Sequence, residues 1–332
     1  MESNPLVIAG SGRSGTTWVL DVLAEANNLR TIFEPLSPFF VPEARSFANC
    51  YVRENAHEPE LRRFMEKVFK GEFHNLWIDI RCNKANLLPS VSQMTSWDYL
   101  YNFGAFYKLF LGRNLKYIRK KSFIPITKFV RANLMLDWIE KNFNAKIVYV
   151  VRHPGAVVAS QIAASKAKSG AVWDFNGSNK QSILSQYKQD EQLRKDYLDK
   201  YYEIFSEKLS PVAGHTLIWC IENILPVYSQ QKKKRYVFFY EDIVNNPERE
   251  FGRMVKVLSL ERKPDSAIII RPSQQASMEM KNEAFGDKSL TRWMKKLSTQ
   301  QLGEIDNILN FFNVKIYNAY DPMPISRIQD SL

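Results

Sequence analysis

Cysteine is scarce. Cys50, Cys82 and Cys220 are widely separated, form no CxxC pair and have no histidine at zinc-like spacing. An odd, sparse count excludes a disulfide framework and points to reduced thiols in a reducing compartment. No metal site is expected. No apolar run is long enough to span a bilayer, and "MESNPLVIAG" has neither a basic n-region nor an apolar h-region. The expectation is a cytoplasmic chain without a membrane segment, unless a targeting segment has been removed. Acidic residues are outnumbered, 35 against 46 Lys plus Arg, giving a formal net charge of +11. The basic residues gather into no arm or block. Their longest run, Lys232-Lys233-Lys234-Arg235, precedes a hydrophobic strand pattern, where charges act as solvated gatekeepers. A diffuse positive field suits an anionic small ligand as well as nucleic acid. Charge alone leaves nucleic acid open but unsupported, and no nucleic-acid partner is expected.

What is present is an ordinary globular composition, 45% hydrophobic and 13% aromatic, sufficient for a large core. A chain of 332 residues exceeds the usual single domain, yet α/β folds of this length are often one domain, so a single domain over 1–332 is expected. Short β-branched runs alternate with helical periodicity, predicting an α/β fold with an open, mainly parallel sheet and helices on both faces. Strands are predicted at Leu6–Ala9, Arg30–Phe33, Phe123–Thr127, Lys146–Val151 and Tyr236–Tyr240. Helices are predicted at Thr16–Ala26, Leu134–Asn142, Pro154–Ala164, Glu248–Leu258 and Thr299–Phe311, the last with a capping box of Ser298 and Gln301. The irregular, aromatic-rich stretches at 37–122 and 165–215 read as insertions around the site. Oligomeric state is not legible.

Four strand ends converge. Gly10, Glu34, Lys128 and Arg152 each fall at the carboxyl end of a predicted strand, the edge along which open α/β sheets bind ligands. The first of these ends opens "GSGRSGTTW", Gly10 to Trp18, which has the two-glycine spacing of a P-loop. Thr16 stands where that loop requires lysine, and the only cation in the turn is Arg13. A glycine-rich turn leading into a helix presents backbone N–H groups and a positive dipole end to an anion. Arg13 stays ionised and holds planar oxyanions through paired bonds, so it suits charge stabilisation and not proton donation. An NTPase would also need an acid for Mg²⁺ after a hydrophobic strand. Glu241 and Asp242 in "RYVFFYED" imitate one, although Asp242 and Asn246 also read as the entry to a helix opened near Pro247. The second signal, "RHPGAVVAS", puts Arg152 at a strand end, Pro154 at a first helical position and Ser160 on the following helix.

Together these residues resemble the sulfotransferases that use 3′-phosphoadenosine-5′-phosphosulfate (PAPS). "GSGRSGTTW" looks like that family's 5′-phosphosulfate loop, and "RHPGAVVAS" is similar to its 3′-phosphate motif. The resemblance extends over "YED" at Tyr240–Asp242 and the terminal "DKSLTRWMKKLS", from near residue 5 to about 312. It implies donor contacts from Gly12, Arg13, Ser14, Gly15, Thr16 and Thr17, with Arg152 and Ser160 at the 3′-phosphate and Lys288 and Ser289 further along the nucleotide. "TIFEPL" is similar to a segment of carbohydrate sulfotransferases, and Glu34 lies where tyrosylprotein enzymes carry a catalytic glutamate. Cytosolic members place a base histidine two residues beyond a lysine. Here Lys128 is followed by Val130, and none of His57, His74, His153 or His215 fits that position.

The resemblance implies in-line transfer of a sulfuryl group to an acceptor hydroxyl, releasing 3′-phosphoadenosine 5′-phosphate (PAP). Glu34 is then the general base, with Arg13 and Lys128 balancing charge. A carbohydrate or small polar metabolite is the expected acceptor, and attack by nitrogen stays open. Candidate acceptor residues are His74, Trp77, Arg81, Trp97, Tyr99 and Tyr101 in the first insertion, and Lys166, Lys168 and Trp173 in the second. Core packing accounts for most of these aromatics equally well, and Trp293 reads as core. Two rivals are a divergent P-loop kinase or NTPase using ATP and Mg²⁺, and a non-catalytic nucleotide-binding protein.

Overall fold

Apolar runs bounded by glycine, asparagine and proline build one parallel sheet. The computed structural model of the chain describes residues 4–38, 40–73, 78, 125–166, 183–206, 209–228, 235–271 and 288–326. The strands are β1 (Leu6–Ala9), β2 (Arg30–Phe33), β3 (Pro125–Phe129), β4 (Lys146–Val151) and β5 (Arg235–Phe239). Their order is β2-β3-β1-β4-β5, and every neighbouring pair is parallel. Strands of a covered parallel sheet are buried on both faces and read as unbroken apolar runs; in β4 every residue after Lys146 is buried.

Among the helices are α1 (Thr16–Ala26), α2 (Pro59–Phe69), α3 (Leu136–Phe143), α4 (Pro154–Lys166), α5 (Pro211–Tyr228), α6 (Tyr240–Asn245), α7 (Pro247–Val257) and α8 (Thr299–Phe311). The β1-to-β2 connection and the β3-to-β4 connection run in opposite directions along the sheet. Right-handed crossovers therefore send α1 to one face and α3 to the other. The divergence leaves a crevice at the carboxyl ends of β1 and β4, where such sheets hold ligands. Trp18 ties α1 to its face: its indole donates to Ile269 O at 3.0 Å and packs edge-on against Tyr240 and Phe251. No helix among the described residues is long and apolar enough to cross a membrane.

Among the elements that differ from the sequence reading, three bear on the site. β3 opens at Pro125, since proline, lacking an N–H, is tolerated as a first strand residue, and it runs to Phe129. Lys128 thus sits inside the strand, paired in register with Phe33, rather than beyond its end. Asn133–Met135, at the front of the helix expected there, is a 3₁₀ turn, and α3 proper starts at Leu136. Helix α5 was not anticipated at all. Val212, Ala213 and Leu217–Ile221 are buried, and so are its polar Thr216, Glu222 and Asn223. It therefore shows no polar face from which a helical period is read. The capping box at Ser298 is formed, with its hydroxyl accepting from Gln301 N and Gln301 Oε1 accepting from Ser298 N.

Candidate active site

The turn from Gly10 to Gly15 links β1 to α1, and its glycines are there for space as well as conformation. Gly10 has φ 152°, and a Cβ on it would meet the Val150 carbonyl oxygen at 2.3 Å. Gly15 has φ 90°, and its Cβ would meet the Tyr240 ring at 2.4 Å. α1 then begins with its first N–H groups lacking intrahelical acceptors and its positive end at the crevice. Ser14 Oγ is buried there without a hydrogen-bond partner among the described residues. A buried orphan hydroxyl is costly, and an oxyanion at the helix start would satisfy it.

Neighbouring side chains hold this turn residue by residue. Asn223 Nδ2 donates to Ser11 Oγ at 2.8 Å, and Gln161 Nε2 donates to the Gly12 carbonyl at 3.2 Å. Arg13 Nε donates to Ser160 Oγ at 2.9 Å, while the Arg13 carbonyl accepts from Arg152 Nη1 at 3.2 Å. Burial, and then repulsion from Arg152, lowers the proton affinity of the Arg13 guanidinium. Two guanidiniums thus share one small volume with no carboxylate bonded to either among the described residues, an arrangement that attracts anions. Arg152 lies over the Tyr240 ring at 4.3 Å, and its Nε is a buried donor without a partner among the described residues.

A second cluster stands on the β2–β3 side. Glu34 directly follows β2 and is 2% exposed. Lys128 Nζ lies 2.7 Å from its Oε1, but off the direction of an aligned hydrogen bond. Arg131 Nη1 and the Val130 amide each approach Oε2 at 3.3 Å. Lys128 also sits 4.4 Å from the centre of the Phe33 ring. Glu34 has φ 47° and Arg13 has φ 77°. The other positive-φ residues besides glycine, among those described, are asparagines and Ser259. Asparagine tolerates that region, whereas arginine and glutamate are held there by their surroundings.

The turn after β4 is fixed by polar groups with no opening to solvent. His153 is fully buried, its Nδ1 accepts from Gly155 N–H at 3.0 Å, and its Nε2 stands 2.8 Å from Asn318 O. These partners place its proton on Nε2. Burial holds its pKa down to about 4, leaving it neutral at pH 7. Trp293 stacks on it at 4.3 Å, and a Cβ on Gly155 would meet that indole at 2.2 Å. Glu241 accepts from His153 N at 2.9 Å and from the Tyr317 hydroxyl at 2.7 Å. Burial raises its pKa. The acid that imitated an Mg²⁺ ligand is therefore committed to holding the β4–α4 turn.

The chain also matches a sequence family. The description "Sulfotransferase domain" matches residues 3–309. The chain belongs to that family. No curated protein matches this sulfotransferase by sequence. Its fold is similar to the sulfotransferase domain from the curacin biosynthetic pathway, at 14% identity and TM-score 0.45, covering 93% of this chain and 98% of that one. It is also similar to the sulfotransferase domain from the Synechococcus PCC 7002 olefin synthase, at 14% identity and TM-score 0.43, covering 92% and 94%. A third is a sulfotransferase from Alicyclobacillus acidocaldarius, at 12% identity and TM-score 0.37, covering 93% and 97%.

The fold of the sulfotransferase brings Gly12 through Thr17 together with Arg152 and Ser160, and separately joins Glu34 to Lys128. Lys288 and Ser289 open a short helix, Lys288–Thr291, and their side chains lie outside the described residues. So do the acceptor candidates His74, Trp77, Arg81, Trp97, Tyr99, Tyr101, Lys168 and Trp173, and the side chain of Lys166. Sequence reasoning missed Ser11, Arg131, Gln161, Trp219, Glu222 and Asn223. One signal was available: a carboxylate and an amide embedded in the apolar run "LIWCIENIL" are anomalous for a buried helix.

Proposed function

We propose that this sulfotransferase moves the sulfuryl group of PAPS to an acceptor hydroxyl on a carbohydrate or small polar metabolite. The observation that carries this reading is the Arg13–Ser160 hydrogen bond, which fuses the two anion-binding elements into one site. The orphan buried groups Ser14 Oγ and Arg152 Nε fit a donor with phosphate at both ends. Bound PAPS supplies an activated sulfuryl group on its 5′-phosphate. Arg152 and Ser160 would grip the 3′-phosphate, which ATP lacks, with Lys288 and Ser289 further along the nucleotide. Gly12, Ser14, Gly15, Thr16 and Thr17 would cradle the 5′-phosphosulfate through the helix start.

Attack by the acceptor oxygen on sulfur forms one S–O bond as the bond to the 5′-phosphate breaks, and PAP departs. Glu34 would take the acceptor's proton, its Oε1 keeping acceptor capacity beside Lys128. Charge growing on the leaving phosphate and sulfuryl oxygens falls to Arg13, the α1 amides and Lys128. No step requires the chain to donate a proton to the departing phosphate.

Competition of PAP against ADP for Arg152→Ala tests the donor assignment. The variant should lose about 10–100-fold in PAP affinity, the scale of one charge-assisted pair, with ADP little changed. Equal losses for both nucleotides would remove the 3′-phosphate role.

A further inference from the structure

Helix α5 carries two polar side chains that the mechanism does not use. Glu222 and Asn223 are buried, 4% and 1% exposed, one turn beyond Trp219. Each arm reaches the donor site. Trp219 Nε1 donates to the Arg152 carbonyl at 3.0 Å, and Asn223 Nδ2 donates at 2.8 Å to both Ser11 Oγ and Trp219 O. The Tyr149 hydroxyl lies 2.9 Å from Glu222 O and 3.2 Å from Asn223 Oδ1. The Glu222 carboxyl accepts from the Tyr187 hydroxyl at 3.3 Å, and the fully buried Ser11 hydroxyl also bonds it. Ser11 directly precedes Gly12 and Arg13, so a carboxyl is set immediately beneath the anion-binding turn.

The surroundings of that carboxyl are settled. Burial disfavours its charge and outweighs Ser11, Tyr187 and the positive field of Arg131, lifting its pKa to about 7. Tyr187 is itself raised, by burial and then by Glu222, and stays protonated. His215, two turns earlier on α5, is held down to about 4 by burial and is uncharged near neutrality. Tyr149, from β4, bonds the Glu222 backbone carbonyl and not its carboxyl.

Resting on the donor reading above, we propose that Glu222 and Asn223 are positioning residues of the donor loop, and that Glu222 takes up a proton from solvent as a nucleotide anion binds. An anion on the loop adds negative charge close to a carboxyl shielded from water, and so favours the neutral acid. The neutral acid still fills the space beneath Ser11 without repelling the ligand. If the bound anion raises the proton affinity by about one pKa unit, donor affinity falls about tenfold as pH rises through this window.

The test is calorimetric titration of PAP into the wild-type chain and Glu222→Gln, in two buffers of different ionisation enthalpy, between about pH 6 and 9. Titration of PAP's own phosphates is common to both proteins and cancels. Wild type should take up more protons than the variant, and its affinity should fall about tenfold relative to the variant as pH rises. Ser11→Ala removes a bond that favours the carboxylate, so it should move the midpoint of the linkage upward, a readout that does not depend on the Gln variant folding. Asn223→Ala should weaken PAP at every pH with the proton count unchanged. Equal proton uptake by wild type and Glu222→Gln, or an unmoved midpoint in Ser11→Ala, overturns the role of Glu222 alone; undiminished affinity in Asn223→Ala overturns that of Asn223. Failure of PAP to bind the wild-type chain overturns the donor reading and this one together.

Discussion

Arg13 Nε and Ser160 Oγ stand 2.9 Å apart although 147 positions separate them in the chain. One belongs to the turn after β1 and the other to the helix after β4, so the bond spans the crevice where the two crossovers diverge. A hydroxyl that accepts from Arg13 still has a proton to donate, and an anion on Ser160 would be reported directly to the guanidinium. On the proposed reading, the site would meet two charged groups of one ligand at once.

Glu34→Gln keeps the shape of the β2–β3 cluster and removes the proposed base. Turnover should fall about 10²–10⁴-fold, with PAP affinity near that of the wild type. Near-normal turnover in a variant that binds PAP normally would dismiss Glu34 as the base.

Lys128→Met tests the same cluster through stability. Lys128 and Glu34 are both nearly buried, at 5% and 3% side-chain exposure. Removing one partner of such a pair typically costs about 3–5 kcal/mol, with Arg131 offsetting part of it here. Denaturant unfolding should show a loss toward the lower end of that range. Pairing with Glu34→Gln should recover part of it, because the carboxylate that lost Lys128 is then neutral, while Arg131 gives up its own ion pair with Glu34.

Gly15→Ala should be severe out of proportion to one methyl group. Its φ of 90° disfavours alanine, and the new Cβ would strike Tyr240, the ring that carries Arg152. A loss of about 1–3 kcal/mol in stability is expected from backbone strain, together with weakened PAP binding. Unchanged PAP affinity would separate the loop from Arg152.

Much of this frame was legible because it is local. β1, α1, β4 and α8 are marked by apolar runs with glycine, proline or a capping serine at their ends, and their predicted starts agree with those observed. The support of the site was not. Gln161 holds Gly12, and Asn223 holds Ser11, across separations of 149 and 212 positions, and neither residue type declares such a partner in sequence. Helix α5 was hidden because its polar Thr216, Glu222 and Asn223 are buried along with its apolar residues, which erases the amphipathic period. His153, which fitted no base position in the sequence, is a structural residue, since both ring nitrogens are committed to the backbone.

That histidine gives a pH signature. Its folded pKa of about 4 lies below the usual histidine value, so its contribution to stability is present above about pH 6.5 and lost as pH falls through about 4. Unfolding free energy should decline across that window, and His153→Asn should flatten part of the slope. A wild-type curve flat from pH 6.5 to 4 would contradict a buried neutral His153.

The most direct measurement is thermal unfolding with PAP, ADP or ATP, each with Mg²⁺ and with EDTA. A ligand at about 100 times its dissociation constant adds roughly 2.7 kcal/mol to the folded state. The expected result is stabilisation by PAP, selective over ADP and ATP and unaffected by EDTA. Stabilisation by ATP with Mg²⁺ alone would contradict PAPS as the donor.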